Sequence, residues 1–165
     1  MEDAFLTTDR LVLRPHRSGD AAFMMDLNSD PEVVRYTGDT ALSSVEAATV
    51  IIRSLERQFT ERRLGRLAVA HRESGELLGW CGLRWFESEG GVDLGFRFRQ
   101  SAWGKGYATE ASRACLAWAD AEPGIDYIFA RAHPDNWRSC RVLEKLGFQR
   151  RDDIDEEGFM LFEWG

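Results

Sequence analysis

The stretch from Val92 to Ala111 holds the residues best suited to chemistry, because an alternating strand pattern runs through a short loop directly into a helical pattern. Gly104 and Gly106 flank Lys105 where the helix begins. Glycine lets the backbone turn sharply and approach a ligand closely. The first amides of a helix have no intrahelical partner and carry the positive end of its dipole. The pattern predicts either a cradle for phosphate or diphosphate, to which Lys105 adds a charge, or a tight turn without a ligand.

Other phosphate and metal motifs do not fit this sequence. A P-loop requires a glycine where Arg99 stands and Ser or Thr where Gly106 follows the lysine. A Rossmann fingerprint requires Gly or Ala at Thr109, within a repeated βαβ array that is absent. The 3 histidines are scattered and no Cys-x-x-Cys occurs, so no metal site is expected.

A second stretch, Ala132 to Phe148, predicts a capped helix after a strand. Asn136 is a suitable N-cap, and Gly147 suits the position just after the helix. Asn136 and Ser139 are polar groups on the first turn. They either serve a site or only satisfy the backbone groups of that turn.

The rest of the chain supplies the elements that must position these two stretches. Alternation over Thr8–Pro15 predicts a strand with Leu11 and Leu13 on one face, and Ser43 with Glu46 forms a capping box that opens a helix. Further strands are predicted at 64–71, 77–86, 92–98, 127–132, 148–152 and 159–164, and further helices at 20–28, 106–119 and from 136. This order predicts an α+β fold, mostly antiparallel, with one crossover helix before the strand at 127–132.

The composition is that of a globular chain. Its 165 residues are 44% hydrophobic and 30% charged, which predicts one domain over residues 1–165. A net charge of −7 disfavours nucleic-acid binding. No apolar run approaches the ~18 residues of a membrane span, and no signal-peptide pattern opens the chain. The 3 cysteines cannot all pair, which predicts reduced thiols and a cytoplasmic location.

Together the two stretches resemble the GNAT superfamily of N-acetyltransferases, and most closely its ribosomal-protein, RimJ/RimL-like branch. The resemblance covers essentially the whole chain. The residues that carry it are Leu94-Gly95-Phe96, Trp103 to Ala111, Asn136 with Ser139, Glu144 to Phe148, Thr8 to Arg14, and Asp30 to Val33.

This resemblance implies a mixed sheet of six to seven strands, splayed in the middle and flanked by about four helices, with acetyl-CoA bound in the splay. The diphosphate would lie on the amides from Trp103 to Ala108, and the pantetheine arm along the strand edge near Phe96 and Phe98. The residues expected to bind acetyl-CoA are Phe96, Arg97, Phe98, Trp103, Gly104, Lys105, Gly106, Tyr107, Ala108, Thr109, Asn136 and Ser139.

Two positions depart from the family pattern. The phosphate loop of the family usually begins with Arg or Gln where this chain has Ser101, with Gln100 one place early. Because the cradle is mostly backbone, binding is expected to survive this change. Many members carry a general-acid tyrosine where this chain has Leu143. The usual acid is therefore missing.

The resemblance and the residue types give three catalytic candidates. Ser139 is expected to orient or protonate the leaving thiolate, with Asn136 binding the pantetheine or substrate region. Asp93, or alternatively Glu89, is the candidate general base, and either is otherwise a solvated hairpin charge. Cys140, next to Ser139, is not expected to act as a nucleophile. It lies on the apolar stripe of its helix, and direct attack of the amine in a ternary complex needs no covalent enzyme intermediate.

The expected acceptor is a primary amine, foremost the α-amino group of a protein N-terminus. An α-amino group with a pKa of ~7.7–8.0 costs roughly 1–1.4 kcal/mol to neutralise at pH 7, whereas a lysine costs roughly 4.6 kcal/mol. The alternatives are a small amine (an amino acid, polyamine or aminoglycoside) and a non-catalytic acyl-CoA-binding module. The acidic run over 152–157 is either a solvated turn or a rim that attracts cationic acceptors. A homodimer is implied by the resemblance.

Overall fold

The computed structural model describes residues 4–165. Within these residues, all eight strands form one sheet, and five α-helices pack around it. The strands are β1 (Leu6–Thr7), β2 (Leu11–Arg14), β3 (Gly65–His71), β4 (Leu77–Phe86), β5 (Gly91–Phe98), β6 (Ile128–Ala132), β7 (Gln149–Ile154) and β8 (Met160–Trp164). The helices are α1 (Ala21–Ser29), α2 (Pro31–Val34), α3 (Val45–Arg62), α4 (Tyr107–Asp120) and α5 (Trp137–Lys145).

The strand order is β1-β2-β3-β4-β5-β6-β8-β7, and only the β5–β6 pair is parallel among the described strands. Helix α4 makes the crossover between these two strands, which confirms the predicted α+β class and its crossover helix. The predicted counts of six to seven strands and about four helices are too low by the short elements. Strand β1 spans two residues and α2 spans four, and neither is long enough to show a periodicity.

Two layers of helices cover the sheet, so both of its faces are largely buried. The α4 face carries Val92, Leu94 and Phe98 and packs against α4 and α5 in the main core. The α3 face includes Trp80, which packs on a smaller cluster with Ile52 of α3. All four residues of β2 are therefore buried, although alternation alone predicted one inward face.

The helix ends show which sequence signals act. Helix α3 is capped by Ser44, whose hydroxyl accepts from Ala47 N at 3.1 Å. The prediction of Ser43 as the cap is wrong by one residue, because Glu46 lies at the second helical position and cannot close a capping box. Asn136 caps α5 as predicted, and Gly147 follows that helix with φ 95°.

The sheet opens between β5 and β6. Strand β5 pairs with β4 along its length, from Gly91 to Phe98. It pairs with β6 only at Val92 and Asp93. From Leu94 onward this edge of β5 pairs with no other described strand. The Phe98 carbonyl accepts from Trp103 Nε1 at 2.8 Å, so the part from Leu94 to Phe96 is left to bind an extended ligand. The implied splay is therefore present.

Candidate active site

A cleft of about 460 Å³ occupies the splay. Strand β5, the loop after it, the first turns of α4 and α5, and the segment around α2 line this cleft. The lining residues are Glu32, Val33, Arg35, Tyr36, Thr37, Phe96, Arg97, Phe98, Ala102, Trp103, Gly104, Gly106, Tyr107, Ala108, Thr109, Asp135, Asn136, Trp137, Arg138, Ser139, Arg141, Val142 and Lys145. All the residues expected to bind the cofactor are among them except Lys105.

Residues 103–108, here called the glycine loop, form one wall. Gly104 and Gly106 have φ of 75° and 81°, in the left-handed region that favours glycine. Gly106 is the N-cap of α4 and supplies no side-chain hydrogen bond. The first amides of α4 are therefore left for a ligand, at the positive end of the helix dipole.

The cleft is cationic although the chain carries a net charge of −7. Its acidic lining residues are Glu32 and Asp135, and its basic ones outnumber them: Arg35, Arg97, Arg138, Arg141 and Lys145. The Arg138 guanidinium lies 5.0 Å from the ring centroid of Trp103 and 5.1 Å from that of Trp137, so it joins the glycine loop to α5. Amides and cations together suit a polyanionic ligand such as the diphosphate and phosphate of CoA.

Asn136 and Ser139 form a reciprocal pair on the first turn of α5. Asn136 Nδ2 donates to Ser139 Oγ at 3.0 Å, and Ser139 N donates to Asn136 Oδ1 at 3.3 Å. The Ser139 oxygen thus accepts a hydrogen bond, which leaves its own hydrogen available to another acceptor. Since both residues also line the cleft, capping and a role in the site are compatible here.

The neighbours of Ser139 on α5 are poor alternatives for proton transfer. Leu143, at the family's tyrosine position, is 1% exposed and packed in the core. Burial, and next the Glu144 carboxylate, raise the pKa of the Cys140 thiol. Cys140 therefore remains a protonated thiol at neutral pH and is a weak nucleophile.

The structure does not bring Asp93 or Glu89 into the lining of the cleft. Asp93 lies on the α3 face, is 5% exposed, and binds Arg66 Nη2 at 3.0 Å. Arg66 Nη1 also donates to the backbone carbonyls of Asp93 and Gly82, each at 2.8 Å. Glu89 is exposed in the turn between β4 and β5. An amine in the cleft reaches neither carboxylate in this conformation.

Arg66 and Arg97 are the side chains on the α3 face that sequence reasoning did not connect. Both guanidinium groups lie 5.2 Å from the Trp80 ring centroid. Arg97 Nη2 binds Asp39 at 2.9 Å, and its Nη1 binds the Asn28 side chain. Burial lowers the pKa of Arg97, and Asp39 opposes that effect. Only the strand register brings these residues together, so no local motif could have indicated the cluster.

The segment after α2 was also missed. The ring of Tyr36 lies 5.2 Å from that of His133, beyond the end of β6, and His133 is 6.3 Å from Phe159. Arg35 pairs with Glu32 at 3.6 Å. The sequence signal there was Asp30 to Val33, which contributed to the family resemblance but indicated no chemistry.

The acidic run over 152–157 lies outside the lining of the cleft. Asp155 binds Arg131 at 3.2 Å and accepts from the backbone amides of Glu157 and Phe159. Burial raises the pKa of Asp155, but these hydrogen bonds outweigh it and lower the pKa. This residue therefore stabilises the β7–β8 turn.

Two further observations concern residues 4–165 alone. No group of three or more His, Cys, Asp or Glu side chains is arranged to hold a metal ion. None of the helices combines the length and the apolar composition that crossing a membrane requires.

Known proteins resemble this chain in sequence and in fold. A family model described as "Acetyltransferase (GNAT) domain" matches residues 10–149. The uncharacterized N-acetyltransferases p20 of Bacillus licheniformis and YoaA of Bacillus subtilis are each 30% identical over 146 residues, 88% of this chain and 82% of theirs. Among solved structures, the acetyltransferase from Agrobacterium tumefaciens has a TM-score of 0.84 at 22% identity, covering 97% of this chain and 93% of that one.

A second solved structure is that of RimL, the ribosomal L7/L12 alpha-N-protein acetyltransferase, in complex with coenzyme A. It has a TM-score of 0.84 at 13% identity, covering 98% of this chain and 97% of its own. At that identity the likeness concerns the fold.

Proposed function

The chain belongs to the GNAT acetyltransferase family, whose members transfer acetyl groups from acetyl-CoA to amines, and from this premise we propose that its acceptor is the α-amino group of a protein or peptide N-terminus. The RimL neighbour, whose name states that activity for RimL itself, supports the proposal at the level of the fold.

The observation that carries this proposal is the lack of a buried carboxylate among the described residues that line the cleft. Glu32 and Asp135 are the acidic lining residues, and their side chains are 54% and 77% exposed. Both are largely open to solvent, so neither is a base that is enclosed in the cleft together with an amine. An α-amino group needs only about 1–1.4 kcal/mol to become neutral at pH 7, against about 4.6 kcal/mol for lysine. The site therefore suits an acceptor that needs little help from a base.

The charge of the cleft argues against polycationic acceptors. A polyamine or an aminoglycoside would bring several positive charges toward the basic side chains Arg138, Arg141 and Lys145 of the cleft. The acidic run over 152–157, for which a solvated turn and a rim that attracts cationic acceptors were the alternatives, lies outside the lining of the cleft, and Asp155 within it is paired with Arg131. An acceptor with one amino group experiences less of this repulsion.

When bound, acetyl-CoA supplies an acyl carbon activated as a thioester. The first amides of α4 and the basic side chains of the cleft would hold its phosphates, and the free edge of β5 would align its pantetheine arm. A backbone N–H on the splayed edge of β5 would stabilise negative charge on the acyl oxygen. Ser139, fixed by Asn136, would donate its hydroxyl hydrogen toward the departing sulfur, directly or through water.

The role of Ser139 is testable by substitution. In Ser139→Ala we expect kcat to fall about tenfold, because one hydrogen bond to a developing charge is lost. The KM for acetyl-CoA should stay within about twofold, since the phosphates bind elsewhere. Cys140→Ala, on the next residue of the same helix, is the matched control and should leave kcat unchanged. An unaltered kcat in Ser139→Ala would remove Ser139 from the mechanism.

The acceptor class is tested by CoA release from acetyl-CoA with a panel of amines. One peptide has a free N-terminus and acetylated lysines, and its twin has a blocked N-terminus and free lysines. Spermidine, an aminoglycoside and free amino acids complete the panel. We expect turnover with the first peptide, with the added acetyl group located on its α-nitrogen by mass spectrometry.

Turnover confined to a small amine would replace the proposal with the small-molecule alternative. Binding of acetyl-CoA without turnover on any amine would favour a non-catalytic acyl-CoA-binding module.

The cellular compartment and the oligomeric state of the enzyme are proposed from other features of the same chain. The free thiols of Cys81, Cys115 and Cys140 support a reducing compartment such as the cytoplasm. The family resemblance supports a homodimer of single-domain chains. Sedimentation velocity at micromolar concentration distinguishes a dimer from a monomer.

A further inference from the structure

We propose that Arg10, which lies outside the cleft, is a positioning residue that sets the glycine loop for the diphosphate of acetyl-CoA by holding the Lys105 carbonyl. The inference rests on the proposed function, because it assumes that the diphosphate binds at this loop. Arg10 precedes β2 and is 95 residues away from the loop in sequence.

The orientation of one peptide plane carries the argument. Arg10 Nη1 donates to Lys105 O at 2.9 Å. Because the peptide is planar and trans, the Gly106 N–H must point to the side opposite that carbonyl, away from Arg10. Gly106 lines the cleft, and Arg10 does not. With the carbonyl fixed by Arg10, the Gly106 N–H points away from Arg10 and can act as a hydrogen-bond donor there. The hydrogen bond at the carbonyl oxygen also polarises the peptide group to which this N–H belongs.

Glu110, on the first turn of α4, holds Arg10 in this position. Arg10 Nε binds Glu110 Oε1 at 2.7 Å, and Arg10 N binds Oε2 at 3.0 Å. Thr8 Oγ1 also donates to Oε2. The Arg10 guanidinium lies 4.5 Å from the Tyr107 ring centroid. Glu110 and Tyr107 of the helix thus hold the Arg10 guanidinium against the loop, and Thr8 holds the Glu110 carboxylate.

The backbone conformation, rather than the approach of Arg10, favours glycine at position 106. Its φ of 81° is unfavourable for other residues, whereas a Cβ there would lie 3.4 Å from Arg10 Nη2, at the edge of ordinary van der Waals contact.

The pairing also resolves an electrostatic conflict. A carboxylate at the start of α4 stabilises the helix, but it would repel a diphosphate bound to the same amides. Burial raises the pKa of Glu110, but hydrogen bonds from Thr8 and Arg10 outweigh it and lower the pKa, so Glu110 is ionised at neutral pH. Arg10 neutralises this charge beside the loop.

The test compares binding of CoA with binding of pantetheine, which lacks the diphosphate, by calorimetry. In Arg10→Met we expect CoA affinity to fall about tenfold, because charge-assisted bonds to the loop and to Glu110 are lost. Pantetheine affinity should stay within about twofold. Arg10→Gln, which keeps a polar side chain, is a second variant in case Arg10→Met does not fold.

Arg72→Met is the matched control. Arg72 N donates to Arg10 O at 2.7 Å, and Arg72 Nη1 donates to Thr8 O at 3.1 Å, so this variant removes a neighbouring positive charge without touching the loop. It should leave the ratio of CoA to pantetheine affinity unchanged.

The outcomes separate two failures. A wild-type protein that binds CoA no more tightly than pantetheine would overturn the placement of the diphosphate, and the inference about Arg10 with it. A wild-type preference for CoA that persists in both Arg10 variants would overturn the inference about Arg10 alone. Equal loss of CoA and pantetheine affinity would show a general structural role and would also overturn it.

Discussion

The glycine loop and the α3 face of the sheet border the same splay but are built in different ways. The loop presents backbone amides, and the residue that caps the following helix, Gly106, has no side chain to occupy them. The α3 face carries charged side chains that are paired: Asp93 with Arg66, both buried, and Arg97 with the exposed Asp39. Backbone amides need only the correct turn, whereas buried charges need partners, since an unpaired one is costly.

This difference predicts where substitutions act. A change in the glycine loop should reduce affinity for the cofactor with little effect on folding. A change on the α3 face should reduce stability first, because its charges hold strands and loops together. The acceptor must then be recognised by the shape of the part of the cleft that the cofactor leaves open and by the few groups that line that part.

The largest expected effect comes from Asp93→Asn. The variant leaves Arg66, whose side chain is 13% exposed, without its charged partner. We expect urea unfolding to show a loss of about 3 kcal/mol, at the low end for broken buried ion pairs. The shape of the pH–rate profile should not change, because Asp93 does not face the cleft.

Glu89→Gln, in the adjacent exposed turn, is the control and should alter neither stability nor rate. Loss of the acidic limb from the pH–rate profile of Asp93→Asn, with stability retained, would restore Asp93 as the general base and break the proposed contrast.

A pH dependence of stability is expected next, from His16. This residue follows β2, is 4% exposed, and neither of its ring nitrogens has a hydrogen-bond partner among the described residues. Burial lowers the pKa of His16 from 6.5 to about 4, with Asp20 opposing and Arg14 adding to the shift. Since the unfolded chain takes up the proton first, the contribution of His16 should lower stability as the pH drops from about 6.5 to about 4. Below that the loss continues through carboxylates whose pKa is lowered in the fold, such as Asp20 and Glu110.

The loss due to His16 is about 3 kcal/mol in total, from a shift of roughly two and a half pKa units. Denaturant unfolding at several pH values checks it, with His16→Leu as the variant in which this slope disappears. His71→Leu, a half-buried histidine on β3, should keep the slope. Parallel curves for wild type and His16→Leu would show that His16 is not the source.

The same contrast explains what could be predicted from the sequence. The alternation from Val92 to Phe98 and the glycines before α4 are local signals, and they gave the strand, the loop and the helix start. The cap at Asn136 is equally local. Each depends on residues within a few positions of one another.

The α3 face depends on register instead. Arg66 reaches Asp93 only because β3, β4 and β5 align Arg66 with Gly82 and Gly82 with Gly95. A Cβ on Gly95 would lie 2.7 Å from Arg66 Cζ, so this glycine leaves the space that a side chain from another strand occupies. No pattern within β5 shows this, and the alternation placed Asp93 on the second face without indicating that the face is buried.

The smallest expected effect comes from substituting two glycines, which also gives the most direct comparison. Gly104 and Gly124 have φ of 75° and 93°, and nothing lies within 4 Å of a Cβ built on either. Valine at each position should therefore cost a similar ~1–2 kcal/mol of stability through backbone strain alone.

Only Gly104→Val should weaken CoA binding, by about tenfold, because strain of that size relaxes by moving the loop amides away from the ligand. Calorimetry with CoA on both variants, with their unfolding free energies measured alongside, separates affinity from stability. Equal CoA affinity in the two variants would mean that the backbone of the glycine loop does not bind the diphosphate. The basic side chains Arg138, Arg141 and Lys145 would then have to supply the affinity, and the cofactor side would depend on side chains as the α3 face does.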